Sequence, residues 1–548
     1  MSEAQGRVTR LLPIVGWLRT YDRSWLRGDL IAGVTVAALI VPKNLGYAGI
    51  AGIPLQNGLY AAAAGALVYA LFCTSRQIST GPSSSLAAVA GGAVLATGVE
   101  GDQAAELVAA ITLATGLLFM LVTVFRLGRM AQFLSRAVVT GFLAGAAIDV
   151  TIGELPKLTG TNADGDNSWQ ELGSWIGSLG DVHWATVLVG VLSLALILSL
   201  RFAAPSVPGA LVLVVSGLVA SGLFDLGSHG VALVGDVPRG LPAPDLPAGG
   251  IVTDHIATIS AAAVALLLIG FSQTAGDARA FATRHRYPVD VDQESLAQGM
   301  ANVAAGTFQG MPVSTSLSAS SLNESAGART PLASLITGVL VLLTLLVLAP
   351  VFSSLPKPVL AALIIDAVVF GMIDVAELRR LYRVKRVDFV IAAVAILGVL
   401  SVGVLAGVVF GIALSLGWLV YVATTPAIPV IAAEDGLVVL RPDGGLFFAT
   451  ADALHDRLRQ ITRDSDPPLR AVVLDLEGVD FVDSQGSAKL VELAELATVN
   501  RITLSLVRVK APVLAVLEAD GVVERIGADH VHDRIPEAIS AAREAPVG

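Results

Sequence analysis

The chain has 548 residues, of which 54% are hydrophobic and only 15% charged, with a formal net charge of −10. Soluble globular chains carry about 25% charged residues, so this composition excludes an ordinary soluble enzyme and implies a polytopic α-helical membrane protein. The single cysteine, Cys73, excludes internal disulfides and a cysteine-rich metal centre.

Residues 1–28 read as a basic cytoplasmic N-terminal segment, since MSEAQGRVTRLLPIVGWLRT has no small-residue cleavage site. Apolar runs then predict spans over 29–48, 55–73, 82–98, 104–125, 137–153, 184–200 and 207–224. A second set follows at 256–278, 294–309, 316–327, 332–352, 358–373, 387–404 and 406–424. With the N-terminus inside, Arg76, Arg126, Arg129, Arg136, Arg201, Arg279, Arg284, Arg286, Arg329 and the cluster from Arg379 to Arg386 all fall on the cytoplasmic side. The proposed outer loops, 154–183 and 225–254, hold Lys157 and Arg239 as their only cations beside Asp164, Asp166, Glu171, Asp236 and Asp245. Fourteen spans satisfy the charge rule, and moving one would reverse it downstream.

The segments 82–98 and 316–327 are short, and each is third in its half of the chain, 29–224 or 255–424. Seven spans per half make the halves inverted with respect to one another. Interrupted segments at matching positions of inverted repeats point to a transporter's substrate site. Their openings, STGPSSSLAA (79–88) and PVSTSLSASS (312–321), are rich in hydroxyl groups and start after Pro or Gly steps. Each would place a helix N-terminus at membrane depth, with free N–H groups and about half a positive charge. Two such ends facing each other favour an anion. The bland alternative, Ser and Gly chosen only for close packing, explains the composition but not the matched positions.

Beyond residue 425 charges become frequent, and strand patterns (LVVLRP, RAVVLDL, ITLSLVRV) alternate with helical ones (ADALHDRLRQIT, SQGSAKLVELAELA, APVLAVLEADG). Residues 427–548 therefore read as a cytoplasmic α/β domain. No catalytic triad, P-loop or metal cluster occurs, so neither an enzyme nor a nucleic-acid partner is expected, nor a resident cofactor or metal.

Several of these stretches resemble one family. Residues 29–62, DLIAGVTVAALIVPKNLGYAGIAGIPLQNGLYAA, are similar to the first two spans of the sulfate permease (SulP, solute carrier family 26) anion transporters. SRQISTGPSSSLAA (75–88) resembles the family's third-span opening, and residues 287–335 its ninth-to-eleventh-span region. The tail, with AVVLDLEGVDFVDSQGSAKL (471–490), resembles a STAS domain. The resemblance implies a 29–424 transport domain of two inverted seven-span repeats, divided into core and gate, followed by the STAS domain. It further implies elevator-type secondary transport across the cytoplasmic membrane, a homodimer in the bilayer, and both termini inside. The implied substrate is an inorganic anion, sulfate or bicarbonate-like, taken by proton or sodium symport or by exchange. A small dicarboxylate transporter and a nucleobase-type carrier of the same architecture are the alternatives; a non-transporting sensor is a third.

Departures from the family's pattern shape the expected site. Lys43 replaces the usual Gln or acid after Pro42, and a mid-span lysine costs about 3 kcal/mol unless it faces a cavity or partner. Ala319 follows Ser316-Leu317-Ser318 where many relatives carry a base, and Gln273 stands where an eighth-span acid is common, with Asp277 one turn on. Lys43 is thus expected to give the fixed positive charge, beside Tyr47, Ser83, Ser84, Ser85, Ser316, Leu317, Ser318 and Gln273. Asp277 would be the counter-ion of Lys43 or the coupling group. Glu324 and Arg329, at the cytoplasmic end of the tenth span, read as a local pair or as helix-terminal charges. In the STAS-like loop, Gln485 occupies the position phosphorylated in some relatives, and Ser484 is expected to cap the next helix.

Overall fold

Apolar stretches at membrane depth must close their own backbone hydrogen bonds, and a helix does so without leaving polar groups towards lipid. The computed structural model describes residues 12–125 and 136–544, except 166, 206, 236, 239, 242 and 466. Arg7, Arg10, Arg126, Arg129, Asp166, Asp236 and Arg239 lie outside the described residues.

Helices occupy the expected spans in order. The first half holds α1 (Leu26–Ile50), α2 (Leu55–Phe72), the two-residue strand β1 (Thr80–Gly81), α3 (Ser84–Thr97), α4 (Gly101–Val124), α5 (Arg136–Thr159), α6 (Trp184–Ala203) and α7 (Gly209–Phe224). The second holds α8 (Ile256–His285), α9 (Val291–Thr307), the strand β2 (Ser314–Thr315), α10 (Leu317–Ser325), α11 (Leu332–Val347), α12 (Lys357–Met372), α13 (Arg386–Val402) and α14 (Val404–Thr424). α5 runs six residues past the expected end of its span, where buried Glu154 meets Lys157 at 2.6 Å. Part of the following outer loop is itself helical, over Ser168–Gly177.

Small residues set the helix spacing. A Cβ on Gly58 of α2 would sit 2.1 Å from the Asn44 carbonyl oxygen of α1, and one on Gly141 of α5 2.3 Å from that of Ala392 in α13. Backbones approach this closely only through glycine. One group packs α1–α4 against α8–α11; the other packs α5 against α6, α12 and α13, and α7 against α6 and α12. The groups meet along α7 and α12, both packed on α1; Ile364 of α12 touches Gly46 of α1, and Gly371 approaches the Ser84 hydroxyl of α3.

The second compact unit comprises Leu416–Gly548. Its sheet has the order β3 (Val430–Glu434), β4 (Leu437–Leu440), β5 (Ala471–Asp475), β6 (Thr503–Val507), β7 (Val531–His532), with the β3–β4 pair antiparallel and the rest parallel. Between the strands lie α15 (Ala451–Asp464), α16 (Ser484–Val499) and α17 (Ala511–Ala519), and α18 (Ile535–Glu544) follows. β5 is buried on both faces. Val472 and Leu474 pack under α15, α16 and α17, whereas Ala471 and Val473 pack under α18. Sequence patterning anticipated β4, β5, β6 and the first three helices but not β3 or β7. The expectation for Ser484 fails: Asp483 is the N-cap of α16 and accepts from the Gly486 N–H at 2.7 Å. An ionised Asp cap also meets the helix dipole, which a serine cannot.

Fully buried Asp475, at the end of β5, accepts from Arg441 Nε at 2.6 Å and Arg508 Nε at 2.9 Å. Burial alone would push its carboxyl up, but hydrogen bonds from Arg508 and Arg441 outweigh this and hold it below the usual carboxylate range. The depressed value means that the pair stabilises this unit above the unfolded carboxyl's pKa of about 4 and loses that effect as pH falls through the folded value. Asp475→Asn should cost about 3 kcal/mol at neutral pH and remove that acid-sensitive component. Hydrogen exchange of the β5 and β6 amides, followed from pH 7 downwards, measures both.

Candidate functional site

β1 and β2 cross at the centre of the first unit. They pair antiparallel, Thr80 opposite Thr315 and Gly81 opposite Ser314. The Ser316 N–H donates to the Ser79 carbonyl at 3.0 Å, and the Ser79 N–H to Ser320 Oγ at 2.9 Å. These bonds satisfy irregular backbone that has no water to turn to. They also fix geometry, because each strand runs directly into a helix and the strands are antiparallel. α3 and α10 therefore start at one crossing and lead away from it on opposite sides.

Both are partial helices. α3 has 14 residues and α10 has 9, roughly 21 and 14 Å against a hydrocarbon core of about 30 Å. Their caps are serines: Ser83 Oγ accepts from the Leu86 N–H at 3.5 Å, and Ser316 Oγ from the Ala319 N–H at 3.4 Å. Both are longer than ordinary cap bonds. First-turn N–H groups and the helix dipoles are thus left for a ligand.

A cavity of 20 Å³ lies at this crossing, lined by Lys43, Asn44 and Tyr47 of α1, by Ser79–Pro82, and by Ser316, Ser318 and Ala319. Three of the groups around it lack protein partners. Asn44 is 2% exposed and Thr80 1%, yet neither Asn44 Nδ2 nor Thr80 Oγ1 is hydrogen-bonded. Lys43 makes no hydrogen bond or ion pair with any described residue. A buried donor left unpaired costs about 1–3 kcal/mol, and an acceptor placed among Asn44, Thr80 and the half-buried Lys43 would satisfy all of them together.

The expected residues divide into two sets. Lys43, Tyr47, Ser316 and Ser318 line the cavity. Ser83, Ser84 and Ser85 lie just behind, in the cap and first turn of α3, where Ser83 and Ser85 hydroxyls pair at 3.1 Å. Gln273 Nε2 donates to Ser85 Oγ at 3.2 Å, leaving its Oε1 without a partner. Leu317 is 55% exposed and does not line the cavity. Asp277 accepts from Thr315 Oγ1 at 2.8 Å. Asp366 of α12, in contrast, lies in electrostatic reach of both Lys43 and Tyr47 without pairing with either. Asp366 is buried and held by Arg201 of α6 in a bidentate pair, Nε–Oδ1 2.7 Å and Nη2–Oδ2 2.6 Å. Glu324 does not pair with Arg329 but with Arg284 at 2.7 Å and His285 at 2.5 Å. The Arg329 backbone N–H instead donates to Asp29.

Sequence reasoning passed over Asn44, Thr80, Arg201 and Asp366. A lone acid within an apolar span (IIDAVV) was a signal in its own right, but its partner sits 165 residues away.

Comparison with known proteins agrees with this architecture. Residues 26–395 match the family model described as the sulfate permease family, and residues 429–538 that of the STAS domain. A probable sulfate transporter of Mycobacterium tuberculosis (strain ATCC 25618 / H37Rv) is 35% identical over 552 residues, covering 97% of this chain and 98% of that protein. The sodium-independent sulfate anion transporter of Bos taurus is 30% identical over 543 residues, covering 92% of this chain and 87% of that protein. Among solved structures, the murine solute carrier 26 family member A9 anion transporter, in its inward-facing state, superposes with a TM-score of 0.87 at 21% identity, covering 99% of this chain and 95% of that one. The transmembrane domain of the cyanobacterium bicarbonate transporter BicA gives 0.60 at 21% identity, over 72% of this chain and 97% of that one.

Proposed function

We propose that this chain, which belongs to the sulfate permease family, carries a small inorganic anion, and sulfate in particular, through the β1–β2 crossing. The observation that supports this most is the set of unpartnered donors: Lys43 Nζ, Asn44 Nδ2 and Thr80 Oγ1 around one cavity. A tetrahedral oxyanion accepts from many directions at once, and two helix N-termini add dipolar attraction. The printed names of the mycobacterial and bovine relatives point the same way.

The cavity's 20 Å³ admits about one water. A sulfate enters as its walls part, and α12 of the other helix group packs against α1 and α3, which carry or adjoin those walls. Displacement of the group α1–α4 with α8–α11 along α12 would open the crossing to one side and then the other. Gly46 against Ile364 and Gly371 against Ser84 are contacts that such sliding breaks cheaply. Gln273, with its unpartnered Oε1, stands behind the anion position on the substrate side, and Asp277, hydrogen-bonded to Thr315, is the group we assign to coupling with a proton or sodium ion. We further place the protein in the cytoplasmic membrane as a homodimer with both termini inside.

Uptake by proteoliposomes of labelled sulfate, bicarbonate and dicarboxylates, with and without proton and sodium gradients, tests the proposal. Saturable sulfate uptake driven by one of these gradients or by counter-anion is the expected result. Sulfate binding without flux would replace transport by a sensor function, and uptake of dicarboxylates or bicarbonate alone would reject sulfate as substrate.

A further inference from the structure

The C-terminal unit holds a cavity of 250 Å³ between α15, α16 and the sheet, remote in sequence from every residue of the crossing. Its floor is apolar and buried: Leu458 of α15, Val472 of β5, Leu493 of α16 and Leu504 of β6. Leu496, 39% exposed, stands at its side. That volume exceeds the ~150 Å³ with which an apolar protein cavity accommodates benzene.

Its rim carries charge of one sign. His455, Arg459 and Arg463 border the opening from α15, and their spacing of four residues stacks them on one helix face. Elsewhere in this unit Arg441, Arg508, Arg525 and Arg543 each meet a carboxylate, whereas Arg457 donates to the Gln460 amide and Arg470 to the Asp435 backbone carbonyl. Arg459 and Arg463 meet no carboxylate among the described residues, and no acid borders the cavity. Like charges at i and i+4 repel by a few tenths of a kcal/mol, a cost that an anion over the rim would reverse.

We propose that this cavity binds a medium-chain fatty acid, its alkyl chain on the leucine floor and its carboxylate between Arg459 and Arg463. Each buried methylene contributes about 0.8 kcal/mol, so a chain is required to gain affinity. A guanidinium pair supplies charge-assisted donors that a neutral head cannot use. An inorganic anion would lack the first contribution, and an alcohol the second.

The test uses the full chain in lipid nanodiscs and a decanoic acid bearing a terminal diazirine, with cross-links mapped by mass spectrometry. Mapping separates the cavity from probe dissolved in the bilayer. Labelling of the Leu458, Leu493 or Leu496 peptides, competed by unlabelled decanoate, is expected. Leu496→Trp, which fills the cavity, should abolish it while the unit stays folded by circular dichroism. The double substitution Arg459→Ala and Arg463→Ala should weaken labelling about tenfold, to the level that the matching decanol probe reaches on the unmodified chain. Labels confined to α1–α14, labelling that decanoate fails to compete, or equal labelling by acid and alcohol would each overturn the proposal.

Discussion

Lys43→Gln should lower the apparent affinity for sulfate by about tenfold to a hundredfold while leaving the protein as stable or more so. The two effects have separate causes. A hydrogen bond from a charged donor contributes about 1.5–3 kcal/mol, and each 1.4 kcal/mol is tenfold in a binding constant. That contribution exists only with an anion bound, since Lys43 has no protein partner among the described residues. In the unliganded protein the same lysine is a half-buried cation in a helix of the membrane, costing about 3 kcal/mol on insertion scales. A structural lysine would behave the opposite way, with thermal stability falling and affinity unmoved. Lys43→Arg keeps the charge and separates its loss from the loss of side-chain shape. Uptake kinetics and thermal unfolding of the three proteins decide the matter, and undiminished affinity in Lys43→Gln would reject Lys43 as the site's positive charge.

Much of this architecture was legible in the sequence because hydropathy and the distribution of arginines constrain a membrane chain strongly. The expected spans 82–98 and 316–327 start and stop within two residues of α3 and α10, since Pro82 and the hydroxyl-rich steps before them forbid a continuous helix. What the sequence hid was pairing across the chain. Thr80 and Thr315 meet in a two-residue ladder too short to have any strand pattern of its own. Asp366 looked like an isolated acid, and Arg201 like a topology marker at the end of a span. Their bidentate pair joins residues that no periodicity connects. Glu324 illustrates the same limit: Arg329 is nearer in sequence, but Arg284 and His285, at the end of α8, are nearer in space. The local reading of the cap at Ser484 failed for a different reason, because a neighbouring Asp at 483 is a better acceptor for the first-turn N–H groups.

Arg201 and Asp366 make the charge at the crossing adjustable, and their substitution should order the affinities by net charge. Lys43 and Arg201 with Asp366 carry a formal +1. Arg201→Gln reduces this to zero and frees Asp366 to pair with Lys43 in competition with the anion. Asp366→Asn raises it to +2, so that a divalent anion binds more tightly and leaves more slowly. One unit of charge at roughly 10 Å from a divalent anion is worth about 3.3 kcal/mol at an effective dielectric near 20, or about two hundredfold in KM for each single substitution. KM for sulfate should therefore be lowest in Asp366→Asn, highest in Arg201→Gln, and near the unmodified value in the double substitution, where the charge returns to +1. Maximal rate should fall in Asp366→Asn because release, not capture, becomes slow. Stability obeys a different rule: Arg201→Gln leaves buried Asp366 without its partner at a cost of about 3–5 kcal/mol, Asp366→Asn leaves the more exposed Arg201 unpaired at a smaller cost, and the double removes both charges together. Thermal unfolding would then rank the double above either single, while KM ranks it between them. A purely structural pair would give one ranking in both measurements, and that coincidence would remove Asp366 from the electrostatics of the anion site.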